Sequence, residues 1–261
     1  MEIRPFGISQ RPPMARPAAD TTPQAESAAV DSTQLSQVKL PPRPPATSLL
    51  QAAGQTATRL AQDLLGALLF VSDPKPVSPE EEKLGGQRDA QNLEETFGLD
   101  HDPELNARLQ RLGELAIPTQ PREDMQYTFK VLDTDQVAGQ CCSDGSVYIS
   151  RGILRQNPDA GVLFVLGHEL GHLRRGHDAQ RLAWEARLEN SSGLRHSLYE
   201  AKLGRFCHQA EFDADGDGAQ TLKRLGYGLG DAFNFLETCQ AENSFTHPGY
   251  PYRIWNIADQ G

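Results

Sequence analysis

Residues Gly161-Val-Leu-Phe-Val-Leu-Gly-His168-Glu169-Leu-Gly-His172-Leu173 decide how this chain is read. The stretch is apolar and helical in character, and three polar side chains interrupt it. Side chains four apart on a helix share a face, so His168 and His172 can present both imidazoles to one cation. Glu169 stands beside them, placed to take a proton from a water bound there. The alternative is two histidines fallen by chance on a core helix. Burying three polar groups together is costly unless they bind something, and one zinc ion would satisfy all three.

A catalytic zinc needs a third protein ligand and one open position. Glu211-Phe-Asp-Ala-Asp215 supplies a candidate, with Glu211 and Asp215 four apart on a second expected helix. Glu211 completes a two-His, one-Glu site, and Asp215 accepts the Nδ1–H of a ligand histidine, His168, fixing its tautomer. Taken alone, the segment also reads as an acidic, solvated helix face, because Asp213 and Asp217 lie nearby.

With these pieces in place, residues 127–257 resemble the gluzincin metalloendopeptidases of Peptidase family M48, the HtpX-like and CAAX-prenyl-protease-like enzymes. The resemblance rests on four parts. They are the strand pair around Lys130–Asp135 and Val147–Leu154, the His-Glu-Leu-Gly-His segment with His177 after it, Glu211-Phe-Asp-Ala-Asp215, and Thr246-His247-Pro248 with Arg253-Ile254. It implies a zincin-like fold, one Zn2+ per chain on His168, His172 and Glu211, and Glu169 as general base and later proton donor. It also implies that His247 approaches the oxyanion and that Arg253 positions that loop or the site's acids. His177 reads as structural or supporting rather than as a ligand. The chain departs from the family at Val137-Ala138-Gly139 and at Gln140-Cys141-Cys142-Ser143, where a different entry to the edge strand is usual.

Outside this region the composition changes. Residues 1–47 hold nine of the 18 prolines, with much Ser, Thr, Gln and Ala. Such a segment cannot bury enough apolar surface to offset its ordering entropy, so it is expected to be a disordered arm. Its Lys39-Leu-Pro-Pro-Arg-Pro-Pro45 favours polyproline II, as a plain spacer, a partner-binding motif or part of an export signal. From Ser48 to Val71, apolar residues recur at spacings of three and four, predicting an accessory amphipathic helix. Ser72 to Gly86 reads as a Pro- and Glu-rich linker. Residues 88–116 read as one or two helices, Tyr127–Leu132 and Ser146–Ser150 as strands with a turn at Asp144-Gly145, and everything from about Asn157 as mostly helical.

Charge and cysteines exclude other classes. The chain carries a formal charge of −10, of which −9 lies in residues 84–261. That argues against a non-specific nucleic-acid binder, which needs a basic face to displace phosphate counterions. Cys141, Cys142, Cys207 and Cys239 form no C-x-x-C pair, so a finger-type thiolate zinc site is not expected and reduced thiols are. No signal-peptide pattern or transmembrane stretch is read from the sequence.

The expected fold is α+β. A zincin-like metalloprotease domain occupies 87–261, mostly helical with a small β-sheet, behind a disordered arm at 1–47 and an accessory helix and linker at 48–86. The expected function is zinc-dependent endopeptidase acting on protein or peptide substrates, the substrate lying as an added strand near Ser146–Ser150. The rival of a different class is a non-catalytic zincin-fold adaptor that uses the Pro-rich arm. The expected setting is the bacterial cytoplasm or secretion as an effector without a signal peptide.

Overall fold

The computed structural model describes residues 40–44, 57–62, 64, 65 and 71–260. The arm expected over 1–47 and the helix expected from Ser48 therefore fall largely outside the described residues. Within the latter stretch, residues 57–62, 64 and 65 are helical, and 71–78 form no regular element.

Helix α1 spans Pro79–Phe97, so the expected linker to Gly86 ends at Ser78 and the helix straddles the boundary drawn in the sequence. The cause is local. The Ser78 backbone N–H donates to Glu81 Oε2 at 2.9 Å while the Glu81 N–H donates to Ser78 Oγ at 3.3 Å, a capping box followed by proline at the first helical position. Helix α2 spans Pro103–Ala116 behind an Asp102 cap, and a 3-10 turn at Ile117–Thr119 follows.

Strands β1 (Thr128–Leu132), β2 (Gly139–Cys141) and β3 (Ser146–Ser150) form one sheet in the order β1-β3-β2. β1 runs parallel to β3 and β2 antiparallel to it. β3 is thus the central strand and is buried throughout. The sequence expectation that substrate adds beside Ser146–Ser150 is corrected here, because both edges of β3 are already paired. Beyond β1, Asp100 N–H donates to the Val131 carbonyl and Asp133 N–H to that of Gly98, which covers that side. Among the described residues, the free edge belongs to β2. Ser150 N–H bonds the Ala138 carbonyl and Cys142 N–H bonds that of Ser146, so by alternation the main-chain groups of Gly139 and Cys141 face away from β3.

Helix α3 (Arg151–Gln156) is capped by Ser150 and leads into α4 (Asp159–Arg175), the metal-motif helix. Every residue of α4 from Ala160 to Leu173 is buried, which explains its near-continuous apolar sequence. It lies between the sheet, α2 and the long helix α6 (Gly193–Arg224), with α5 (His177–Glu189) between α4 and α6 in the chain. Helices α7 (Leu229–Cys239) and α8 (Tyr250–Gln260) close the other side. The main core joins Leu109 and Leu112 of α2, Val147 and Ile149 of β3, the α4 residues, Phe233 of α7, and Ile254 and Ile257 of α8.

α4 and α6 approach closely because glycines face each other. A Cβ on Gly167 would lie 2.6 Å from Thr221 Cβ and 3.0 Å from Gly218 Cα, and one on Gly171 would lie 2.7 Å from Asp217 Cβ. Among the described residues, no helix is long and apolar enough to cross a membrane.

Candidate metal centre

α4 carries His168 and His172 on the face it turns to α6, and α6 carries Glu211 and Asp215 on the face it returns. All four side chains are buried. His168 Nε2 and His172 Nε2 lie 3.1 Å apart. Glu211 Oε1 is 3.4 Å from His172 Nε2, and Glu211 Oε2 is 3.7 Å from His168 Nε2. One ligand atom from each of the three residues falls within 4.8 Å of the others.

The imidazoles are oriented from behind. His168 Nδ1 lies 3.1 Å from Asp215 Oδ1, so the ring donates there and turns Nε2 to the centre. His172 Nδ1 lies 2.9 Å from His177 Nδ1. His177 reaches that place because Gly176, at φ 65, ends α4 in a left-handed cap and α5 starts at the next residue. Burial, with His172 beside it, lowers the His177 imidazolium to about 3, so the ring is neutral and accepts the His172 Nδ1–H.

Arg253 enters from α8. Its Nε donates to Asp215 Oδ2 at 2.8 Å and its Nη2 to Asp215 Oδ1 at 2.6 Å, while Nη1 lies 3.4 Å from Glu211 Oε2. Burial alone would push the Asp215 carboxyl up, but Arg253 and His168 outweigh it and hold it below the usual range. The same contest at Glu211 is won by His247, Arg253 and His168, which keep that carboxyl well below its ordinary value. Both acids are ionised, although each is fully buried.

His247 sits in the loop between α7 and α8, with Nε2 3.6 Å from Glu211 Oε1 and Nδ1 2.8 Å from Thr246 Oγ1. Burial lowers its imidazolium below the ordinary value, against the pull of the Glu211 carboxylate. The loop is pinned to α6 by His208 Nε2, 2.7 Å from the Ser244 carbonyl. Glu169 projects to the sheet side, where its Oε2 accepts the Cys141 backbone N–H at 2.9 Å.

The donor set fits a zinc ion. A tetrahedral zinc with nitrogen ligands at about 2.05 Å holds its donors about 3.3 Å apart, close to the spacings found. Both histidines have Nδ1 engaged and Nε2 facing the same point. Glu211 Oε2 is buried and accepts no hydrogen bond. An ionised carboxylate oxygen in that state is the acceptor a cation would satisfy.

The structure brings together His168, His172, Glu211, Asp215, His247 and Arg253, and it places Glu169 on the same helix as the two ligand histidines with its carboxylate turned to β2. It adds three partners that sequence reasoning missed. Thr246 stands in the quoted Thr246-His247-Pro248, but no spacing rule marks a hydroxyl for a tautomer role, so its part beside His247 was missed. His208 and the Cys141 N–H carry no sequence signal, because each acts through chain paths that meet only in the fold. The cysteines are free and, apart from half-buried Cys239, buried. Burial pushes the Cys207 and Cys239 thiols up to about 12.

An open cavity of about 1410 Å3 runs beside the cluster and is lined by Arg175, His177, Gln209, Phe212 and Phe245, among others. Arg59, Asp73 and Val77 from the segment before α1 line it too. Among curated proteins, none matches the chain. A family model described as Peptidase family M48 matches residues 103–260, from the first residue of α2 to the last of α8. The match takes in both helices of the metal cluster and the His247 loop, and it spans more than half of the chain. The chain therefore belongs to Peptidase family M48, a family of zinc-dependent metallopeptidases.

Proposed function

We propose that the protein is an endopeptidase that works with one zinc ion held by His168, His172 and Glu211, with Glu169 as general base. The observation that carries the proposal is the meeting of two Nε2 atoms and one ionised, buried carboxylate on facing helices, each held from behind by Asp215, His177 or Arg253. When bound, zinc supplies Lewis-acid activation of the attacking water and of the scissile carbonyl.

The residues of this chain supply the rest. Glu169 takes the proton of the attacking water and returns it to the departing amine. The Thr246 hydroxyl donates to His247 Nδ1, which leaves Nε2–H as the donor for the developing oxyanion. Arg253 neutralises Asp215 and leans on Glu211, so the ligand carboxylate keeps its charge and place. The peptide lies along β2 as an added strand, using the outward Gly139 N–H and the outward carbonyls of Gly139 and Cys141, since the Cys141 N–H is held by Glu169. An adaptor could use Glu169 only to hold the Cys141 N–H, which needs no metal-motif histidines beside it, so the catalytic reading is preferred. The setting we favour is a bacterial cytoplasmic enzyme or an exported effector, supported by the composition of residues 1–47.

The test is metal analysis joined to cleavage of an unstructured protein such as casein. The expected result is one zinc per chain, cleavage within the substrate chain, loss of cleavage with a chelator and recovery when zinc is returned. A chain that binds zinc and cleaves neither casein nor a peptide library would sink the endopeptidase reading.

A further inference from the structure

The proline-rich motif in the arm has a seat on the folded domain. Leu40 packs against the main core, and residues 41–44 follow it past α8. Trp255 Nε1–H donates to the Pro41 carbonyl at 3.2 Å. The Arg43 guanidinium lies over the Trp255 ring, 4.1 Å from its centroid, and its Nη2 meets Asp259 Oδ1 at 2.6 Å. α8 turns Ile254 and Ile257 into the core, which leaves Trp255 and Asp259, one helical turn apart, together on another face.

Each contact reads a different feature of the motif. The indole reads a carbonyl between prolines, the ring face reads a cation, and the core reads a leucine. Proline fixes φ, so the segment loses little freedom on docking. Aromatic-lined grooves bind polyproline II for the same reason. The Arg43–Asp259 pair is more than half exposed on both sides, so it selects register rather than supplying affinity. Trp255, which combines the hydrogen bond with the cation–π contact, is the anchor.

We propose that this face of α8 is a receptor for a Leu-Pro-Pro-Arg-Pro segment and that residues 40–44 of the same chain occupy it. A polyproline-binding partner would need the same Pro41 carbonyl and Arg43 side chain. Docking on α8 and recruitment of such a partner are therefore mutually exclusive. The tether makes docking intramolecular, at an effective concentration on the order of millimolar, so modest intrinsic affinity keeps the face filled.

The chain has two tryptophans, so the indole N–H signals of the full-length 15N-labelled protein report the site directly, with Trp255→Phe giving the assignment. Arg43 is exposed, and Arg43→Glu is expected to move the Trp255 signal while leaving that of Trp184 in place. Adding a synthetic peptide of residues 38–46 should then return the signal saturably, whereas the wild type, already occupied, needs on the order of tenfold more peptide or greater. A Trp255 signal unmoved by Arg43→Glu, or one that ignores the peptide, overturns the receptor. Equal peptide responses in wild type and variant overturn occupancy in cis, as does a wild-type dimer that dissociates on Arg43→Glu, which would place a second copy's motif on α8.

Discussion

The Cys141 backbone N–H donates to Glu169 Oε2 at 2.9 Å, which ties the acid of the metal-motif helix to the free edge of the sheet. An edge-strand amide would ordinarily face solvent or an added strand. Here it aims a carboxylate, and a Cβ on Gly139 would come within 3.2 Å of the other oxygen, Oε1. The strand that would receive a peptide and the acid that would take the attacking water's proton are thus held in one fixed relation.

Glu169→Gln keeps an oxygen for the Cys141 amide and removes only the basicity. We expect unchanged zinc content and thermal midpoint, with kcat lowered by about 10^2 to 10^4, the usual worth of a positioned acid–base group. Metal analysis and peptide cleavage on the same preparation check this. Retained turnover would remove Glu169 from its role.

Arg253→Ala leaves Asp215 buried and without its two-point partner. Breaking a buried pair from one side costs about 3–5 kcal/mol. Loss of a group that supports a ligand from behind typically weakens metal binding by about 10–100-fold. Arg253→Lys should recover little, since one ammonium cannot match the Nε and Nη2 bonds to both Asp215 oxygens. Chemical unfolding and chelator competition read the two effects separately. A lysine variant equal to wild type in both would show that charge alone suffices.

Much of the site was legible because its chemistry forces local spacing. Two ligands on one helix face must be four apart, and an acid that backs one of them recurs four residues after the third ligand. The central strand and the helical C-terminal half also follow from periodicity. The sheet edge did not. β2 has three residues, too few to alternate visibly, and it lies where Cys141-Cys142 departs from the family pattern. Missing it put the free edge on the wrong strand. The start of α1 was hidden by Pro79 and the acidic run after it, which read as linker until Ser78 and Glu81 are seen to cap one another. The contact of Pro41 with Trp255 joins residues 214 apart, and no local rule reaches that far.

Gly167→Ala tests the helix contact that sets the ligand spacing. A methyl there gains about 1 kcal/mol of helix propensity. It also meets Thr221 Oγ1 and, at 2.6 Å, Thr221 Cβ, closer than packed Cβ atoms come, with the Gly218 backbone tight against it at 3.0 Å. Overpacking costs about 1–3 kcal/mol, so the net change should be destabilising. Because His168 and Glu211 ride on the two helices being forced apart, zinc affinity should fall as well. Stability lost with zinc affinity intact would mean that the helices separate away from the site.

Asp217 sets the pH dependence on the same interface. It accepts from Arg174 Nη2 at 2.8 Å and from Arg175 Nε at 2.6 Å. Burial pushes its carboxyl up, and the two arginines pull it further down, leaving it below the ordinary value. A carboxyl lowered by folding contributes stability above its unfolded pKa, about 3.9, and loses it as pH falls through the folded value. Asp217→Asn removes that contribution. The gap in thermal midpoint between wild type and variant should be widest near neutral pH and should close as pH drops below about 4, where wild type loses the charge too. A gap that stays constant across that range would assign the effect to packing against Gly171 rather than to the ionised pair.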